Sequence, residues 1–326
     1  SNSLSTKTKD KNELLAIVAL NCNKGYYENI FGKISKAISS YELAWKIYHK
    51  NKLTTYDITE YCLKPLGNLY TLIGDYSNAE NSIKQYYFVA SQEKNESQKQ
   101  AAVLNLSNVY QNTGRIDQAI ELLEKTIQKE KLTNAQKGLL YNNLGSNYFL
   151  NTRATKMKSY AFENAEKAFL KAVLLLEREP SQHEALTNSY RNLCKLNLER
   201  KNKQMALHYF EKAKHTFEKI PNPNPRKKAQ FYFDEANMLF KQREITASSL
   251  AIERVFKTLI PAYSSAKTVL PNQSALYAET ILLDVLDLQA ELFLAQSQPK
   301  KALESYALAF HIEALFQSLL VYENSK

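Results

Sequence analysis

The sequence is short of the residues that make turns. Its 326 residues include only seven glycines and eight prolines. A many-stranded β fold needs a turn about every ten residues, so this scarcity argues against one. Hydrophobic residues make up 44% of the chain, which is enough for a substantial core and too much for a disordered chain. Ala, Leu, Lys, Glu and Gln are prominent and favour helices.

Cysteines and long apolar runs are also scarce. Cys22, Cys62 and Cys194 are widely spaced and form no CxxC or Cys/His metal pattern, so we expect buried, reduced thiols. No stretch approaches the roughly 18 uninterrupted apolar residues of a membrane span. No signal peptide is recognisable. The sequence favours the cytoplasm, with a secreted chain whose signal peptide has been removed as the alternative.

Catalytic motifs are missing. The sequence has no glycine-rich phosphate loop, nucleophile elbow or kinase signature. His208, Glu211 and His215 share one face of a predicted helix, but no fourth metal ligand is visible, and we interpret them as a solvated face. We therefore expect no enzyme activity, no metal and no cofactor.

A repeat of small residues is the main positive signal. Small residues mark units of about 40 residues at Gly25, Gly67, Ser107, Gly145, Cys194, Ala236 and Ala290. In six units a second small residue follows twelve positions later, at Ala37, Ala79, Ala119, Ala206, Ser248 and Ala302. In the fourth unit it follows twenty positions later, at Ala165, which predicts that the turn there holds eight extra residues, around 152–159.

This spacing predicts two antiparallel helices, A and B, in each unit. A small residue in helix A faces one in helix B, so the backbones approach closely. Four places after the second small residue, a bulky one fills the space on the same face: Tyr41, Ile83, Leu123, Phe169, Phe210, Ile252 and Tyr306. Gly32, Gly74 and Gly114 fall in the turns, where a helix ends in a left-handed conformation.

The motif resembles the tetratricopeptide repeat. The resemblance is carried by Leu66, Gly67, Tyr70, Gly74, Tyr76 and Ala79, and in the next unit by Leu106, Tyr110, Gly114 and Ala119. It implies an all-α fold, a right-handed α-α superhelix (solenoid) of about seven hairpins. We expect one domain over residues 1–326, with a subdivision near 219–228 as the alternative. The period exceeds the family's usual value of about 34 residues, as in its long-repeat members that bind signalling peptides.

The last predicted helix, from about Pro299 to Tyr322, is more apolar than a terminal repeat normally is. We therefore expect more protein after it, or a downstream domain or second chain packed on it. Residues 299–312 are similar to the last repeat before the peptidase domain of bacterial CHAT proteins. That similarity implies the regulatory half of a caspase-like protease, whose catalytic domain would lie beyond residue 326.

Polar residues of the A helices are the candidate binding residues. In a solenoid of this kind the A helices are expected to line the concave face, where an asparagine amide can both donate to and accept from a peptide backbone. The candidates are Lys64, Asn68, Asn105, Asn108, Asn143, Arg191, Asn192, Lys195 and Asn237. The alternative is that these asparagines are polar residues tolerated on a wet surface.

Some of these candidates resemble part of a carboxylate clamp. Lys64 and Asn68 resemble its first members, and Asn108 the next. Asn142 and Ser146 stand where the following unit would supply basic residues, so the clamp is incomplete. Arg191 and Lys195 hold the corresponding positions one unit later and are predicted to add positive charge.

The net charge is +10. Basic residues cluster at Lys7–Lys11, Lys125–Lys131, Lys156 with Lys158, and Arg226–Lys228. A nucleic-acid-binding scaffold is an alternative function, because counterion release rewards basic surfaces. These clusters lie largely in predicted loops and termini, and no recognised nucleic-acid module is present. We therefore favour an interaction module, the sensor or scaffold arm of a larger protein, that binds a peptide or protein segment. The positive charge favours either an acidic segment or simply the solubility of the chain.

Overall fold

The computed structural model describes residues 9–129, 131–154, 158–179, 181–264, 266 and 269–324, and for residues 129, 153, 154 and 320–324 the backbone alone. The described residues form helices and their connections, with no β-strand among them. The prediction of an all-α fold is confirmed.

The helices group into two compact units. The first, residues 1–130 and 319–326, contains α1 (Lys11–Ile30), α2 (Ile34–Lys50), α3 (Lys64–Ile73), α4 (Tyr76–Gln92), α5 (Glu96–Asn112) and α6 (Ile116–Lys129). The second, residues 131–318, contains α7 (Asn134–Ala154), α8 (Lys158–Leu176), α9 (His183–Glu199), α10 (Lys203–Phe217), α11 (Pro225–Lys241), α12 (Ile245–Leu259), α13 (Thr280–Ala295) and most of α14 (Pro299–Asn324). The predicted linker at 219–228 falls inside the second unit, between α10 and the first turn of α11. The prediction of a single solenoid domain over residues 1–326 stays a prediction.

Consecutive helices pair into hairpins, from α1 with α2 to α13 with α14. The first small residue of each predicted unit lies in the first helix of its hairpin, and the second small residue lies in the second helix. All of these small residues are buried. The repeat pattern therefore located the hairpins correctly, and the arrangement is that of tetratricopeptide-like repeats.

The contact between paired helices is as close as the small residues predict. A Cβ atom added at Gly145 of α7 would lie 2.6 Å from the ring of Phe169 on α8. One added at Gly67 of α3 would lie 2.8 Å from Ile83 Cγ1 on α4. Phe169 and Ile83 are the bulky residues expected to fill the space beside the second small residue. Such approaches leave room for hydrogen alone at the two glycines.

The turn inside the hairpins repeats one backbone conformation. Seven residues after the small residue of the first helix, φ is 70° at Gly32, 80° at Gly74 and 74° at Gly114. In later hairpins the same position is held by residues with side chains, at 59° for Lys201, 69° for Arg243 and 59° for Ser297. The sequence predicted only the glycine turns, because no glycine marks the later ones.

The extra residues of the fourth unit lengthen its helices rather than its turn. Helix α7 continues to Ala154 and α8 begins at Lys158, with residues 155–157 between them outside the described part. The prediction that the turn holds all eight residues is therefore wrong. The second irregularity, at 261–271, belongs to a long connection that follows Leu259 and includes a 3-10 turn over Gln273–Ala275 before α13.

Candidate functional site

The first unit carries exposed amides on the neighbouring helices α3 and α5. Asn68 and Asn108 are both exposed, and each directly follows the small packing residue of its helix. Asn105 is half-buried, one turn before Asn108. Within the described part of the chain these three side chains make no hydrogen bond. Their donors and acceptors are therefore available to a ligand.

Lys64 is less free than the sequence suggested. Its Nζ lies 2.6 Å from Oε1 of Glu60, which belongs to a π-helical turn, Thr59–Leu63, that leads into α3. Both side chains are partly exposed, and a pair of this kind is worth at most about 1 kcal/mol. A ligand carboxylate at Lys64 would have to compete with Glu60.

A hydrogen-bond network holds α5 against the start of the second hairpin. Gln98 of α5 is buried and donates from Nε2 to Asp57 Oδ2 at 2.8 Å, and its Oε1 lies 2.7 Å from Thr59 Oγ1. Burial opposes ionisation of Asp57, but hydrogen bonds from Thr59, the Glu60 amide and Gln98 outweigh it and hold the pKa of the carboxyl below its usual value. The network fixes the spacing between Asn68 and the asparagines of α5. This network was not predictable from sequence patterns, because its members lie about 40 residues apart.

In the second unit the predicted asparagines are already engaged. Asn192 of α9 donates to Asn142 Oδ1 of α7 at 3.0 Å and to Ser146 Oγ at 3.3 Å. Ser189 of α9 also donates to Asn142 Oδ1, at 3.1 Å. Asn143 donates to the Leu139 carbonyl of its own helix at 3.1 Å. Asn142 and Ser146, the residues that interrupt the predicted clamp, are thus the partners that join α7 to α9.

The two cations predicted to add positive charge converge on one buried carboxylate. Arg191 and Lys195 of α9 both contact Asp234 of α11, whose side chain is 6% exposed. The Lys195 ammonium lies 2.9 Å from Asp234 Oδ1, and Arg191 bonds the other oxygen. Burial opposes the charged carboxylate, but Arg191 and Lys195 outweigh it and hold the pKa of Asp234 below its usual value. These cations therefore serve first to join α9 to α11.

The next A helix, α13, adds acidic side chains near this ion pair. Asp284 and Asp287 are exposed, one turn apart. Asp284 reaches solvent, but desolvation by the surrounding protein raises its pKa. Attraction to Lys195 lowers the pKa, and repulsion from Asp287 and Asp234 raises it further. The charge along the A helices of the second unit thus changes from basic on α9 to acidic on α13. The exposed carboxylates of α13 would repel the acidic ligand that the net charge predicted.

Asn237 of α11 is the one predicted asparagine in the described second unit whose side chain stays free of hydrogen bonds. It is half-buried and directly follows the small residue Ala236, the position that Asn68 and Asn108 hold in the first unit. The structure thus divides the candidates in two. The free amides are Asn68, Asn105, Asn108 and Asn237, and the engaged residues are Lys64, Asn143, Arg191, Asn192 and Lys195.

His208 and His215 of α10 are exposed, and the three cysteines are buried. His208, Glu211 and His215 line a groove of about 640 Å³ beside α9 and α10, together with His183 and Tyr190. Within the described residues, no group of three His, Cys, Asp or Glu side chains is placed to hold a metal. The three cysteines are buried free thiols, as predicted. Burial raises the pKa of Cys194 to about 12, which keeps this thiol protonated.

None of the described helices has both the length and the apolar character that a membrane span requires.

Comparisons with known proteins identify solved structures with a similar fold. No protein-family model and no curated protein sequence matches the chain. Among solved structures, the apo quorum sensor NprR from B. thuringiensis superposes with a TM-score of 0.63 at 14% identity, over 93% of this chain and 77% of that one. A Rap protein in complex with competence and sporulation factor gives 0.60 at 14%, over 93% and 76%. A tetratricopeptide repeat protein from Parabacteroides merdae gives 0.52 at 16%, over 94% and 98%.

These similarities confirm the predicted resemblance at the level of fold. They do not test the similarity of residues 299–312 to CHAT proteins, which stays a prediction. The chain is an all-α solenoid of tetratricopeptide type.

Proposed function

We propose that this chain is a peptide-binding or protein-segment-binding module, the sensor or scaffold arm of a larger protein, and that it performs no catalytic step itself. The observation that carries the proposal is the set of free amides on α3 and α5. Asn68, Asn105 and Asn108 offer donors and acceptors that the described part of the chain does not use. An extended backbone presents the complementary groups at regular spacing.

The rigidity of this surface supports the proposal. Because Gln98 is locked to Asp57 and Thr59, the two helices that carry the amides are held in a fixed relation before a ligand arrives. Pre-organisation of this kind reduces the entropy lost on binding. The fold is similar to that of a Rap protein complexed with competence and sporulation factor, which supports the proposal.

The test begins with selection of a ligand. Random peptides are displayed and selected on the immobilised chain, and the affinity of the best peptide is measured by calorimetry. Replacing both Asn105 and Asn108 with Ala should weaken binding by about ten- to a hundredfold, because one to two hydrogen bonds are lost at each amide. The melting temperature should not fall, since alanine is the better helix former at both positions.

Asn81→Ala is the matched control. Asn81 is exposed on α4, in the same unit but on the second helix of its hairpin. This variant should bind the selected peptide like the wild type. Unchanged affinity in the Asn105→Ala/Asn108→Ala variant, or equal losses in the control, would remove the amides from the binding site.

The net charge of +10 favours a second candidate, a nucleic-acid-binding scaffold. Lys7 and Lys156 of the predicted basic clusters lie outside the described residues. In the cluster at the start of α11, Arg226 pairs with Glu279 at 3.0 Å and Lys227 with Glu184 at 2.6 Å, so these two cations already have counter-charges. Gel-shift titrations with single- and double-stranded RNA and DNA at about 50 and 200 mM salt decide the matter. Binding that weakens steeply with salt would support this candidate.

A further inference from the structure

A pocket in the second unit has the chemistry of a second binding site. It has a volume of about 320 Å³ and lies between α12, α13 and the first turn of α14. That volume is at the lower end of the about 300–1,000 Å³ typical of ligand pockets. We propose that it binds an N-acylated apolar amino acid with a free carboxylate, the chemistry found at the last residue of a peptide chain.

The walls of the pocket are apolar and partly aromatic. Phe256 of α12 and Phe293 of α13 are buried, and Tyr263 of the following connection packs on Phe256 with ring centroids 5.3 Å apart. The hydroxyl of Tyr263 donates to the Val269 carbonyl at 3.0 Å, which fixes this wall. Leu250 of α12 completes the apolar lining but is 57% exposed. An apolar side chain that enters here would cover Leu250 as well as its own surface.

Two glutamines in the lining have amide atoms that make no hydrogen bond within the described part of the chain. Gln289 of α13 is 4% exposed, and its amide makes no hydrogen bond to any described residue. The Oε1 atom of Gln298 is buried and accepts no hydrogen bond from a residue that the structure describes. The amide of Gln289 still reaches solvent in the pocket, whereas Gln298 Oε1 is shielded from it. A ligand that brings one amide N–H and one carbonyl would satisfy both side chains.

The charge at the pocket rim indicates that the ligand also carries a carboxylate. Lys301 of α14 lines the pocket and places its ammonium 5.8 Å from the ring centre of Phe293. No carboxylate of the described residues pairs with it. Glu253 also lines the pocket, but Lys257 neutralises it from the next turn of α12. A ligand carboxylate would find its counter-charge at Lys301.

This site differs from the proposed peptide surface in the helices that form it. Six of the lining residues lie on α12. The other seven lie on α13, on α14, in the turn that joins them or in the connection that precedes α13, whereas the free amides Asn68, Asn105 and Asn108 belong to α3 and α5. The two proposals therefore stand or fall separately.

The experiment uses the full chain and N-acetyl-L-phenylalanine as the probe. Calorimetry, checked by amide chemical shifts, should show saturable binding with a Kd on the order of 1 mM. N-acetyl-L-phenylalaninamide, which lacks the carboxylate, should bind about three- to tenfold more weakly. The tetrapeptide Gly-Gly-Ala-Phe distinguishes the source: tighter binding than the single residue indicates a peptide end, and equal binding indicates a small molecule.

Variants link the binding to the pocket. Gln289→Met should weaken binding of the probe by about three- to tenfold without lowering the melting temperature, because it removes an unpaired amide at constant volume. Lys301→Gln should abolish the preference for the acid over the amide, whereas the adjacent exposed Lys300, which does not line the pocket, should tolerate the same change. Thr246→Trp at the exposed rim should block entry. The absence of saturable binding at about 10 mM probe, or wild-type binding by both Gln289→Met and Lys301→Gln, overturns the proposal.

Discussion

Lys195 of α9 and Asp234 of α11 form an ion pair across two neighbouring hairpins, with 2.9 Å between Nζ and Oδ1. Arg191 bonds the other carboxylate oxygen and also donates to Asn188 Oδ1 at 2.7 Å. Asp234 is thus a buried anion that depends on two cations of another helix. The carboxylate of Asp234 therefore pairs with Arg191 and Lys195, the two cations that were predicted to contact a ligand.

Replacement of Asp234 with Asn should destabilise the protein by about 2–4 kcal/mol, because Arg191 would be left largely buried without its counter-charge. This loss of stability is slightly smaller than the usual cost of breaking a buried ion pair, because Lys195 is 37% exposed and can reach water. Urea denaturation followed by circular dichroism measures the change. Asp287→Asn, at an exposed carboxyl of α13, is the control and should alter stability by less than about 0.5 kcal/mol.

Acid should diminish the effect of that substitution. A carboxyl whose pKa is lowered by folding stabilises the native state above its unfolded pKa, and the contribution disappears as pH falls through the folded value. The difference between the wild type and Asp234→Asn should therefore be largest near pH 7 and shrink below about pH 4. Both proteins should carry Asp284→Asn, because Asp284, whose pKa is raised by folding, would otherwise add a pH dependence of the opposite sign. A difference that stays constant down to about pH 2 would show that Asp234 is not held ionised.

At the repeated left-handed turn, substitution to glycine and substitution of glycine should change the stability of the protein in opposite directions. Arg243 is exposed and has a φ of 69°, a conformation that costs a residue with a side chain about 1–2 kcal/mol. Arg243→Gly should therefore stabilise the protein by about 0.5–1 kcal/mol after allowance for the greater entropy of unfolded glycine. Gly114 holds the same position at 74°, with no heavy atom within 4 Å of an added Cβ. Gly114→Ala should destabilise by about 1 kcal/mol through backbone strain alone. Thermal melts of both variants check the pair, and a loss of stability in Arg243→Gly would contradict it.

Gly145→Ala should destabilise for a different reason, overpacking. The new methyl would lie 2.6 Å from the Phe169 ring, and the expected cost of about 1–3 kcal/mol outweighs the better helix propensity of alanine. The double variant Gly145→Ala/Phe169→Leu should recover part of the loss compared with the sum of the single changes, because leucine leaves room for the methyl. Strict additivity in a double-mutant cycle would show that the two residues do not clash.

Tyr86→Phe should be neutral or stabilise by up to about 1 kcal/mol. Tyr86 is fully buried in α4, and its hydroxyl has no hydrogen-bond partner among the described residues. Tyr70→Phe is the contrasting variant, because the Tyr70 hydroxyl bonds Glu42. This change should destabilise by about 1 kcal/mol. Equal losses in the two variants would indicate that the Tyr86 hydroxyl is hydrogen-bonded, for example to a buried water molecule.

The hairpins were predictable because their packing requires small residues at fixed positions. Gly67 and Gly145 tolerate no side chain against the partner helix, and such a constraint leaves a periodic trace in the sequence. The turns at Lys201 and Arg243 left no trace, because the surrounding hairpin imposes the left-handed conformation on residues that do not prefer it. The same holds for the fourth unit, where the sequence revealed eight extra residues but not that they extend α7 and α8.

The candidate site was only partly predictable. Asn108 and Asn192 are both asparagines on the first helix of a hairpin, so the sequence alone does not show which of them is free to bind a ligand. Asn108 is free, whereas Asn192 is bound to Asn142, fifty positions earlier in the chain. The sequence by itself determined the helices, their pairing and the choice of polar residues along them, since these follow from local spacing and side-chain size. The tertiary structure alone decided which polar groups remain free, because a hydrogen bond or ion pair forms only where neighbouring hairpins bring two distant residues within about 3 Å.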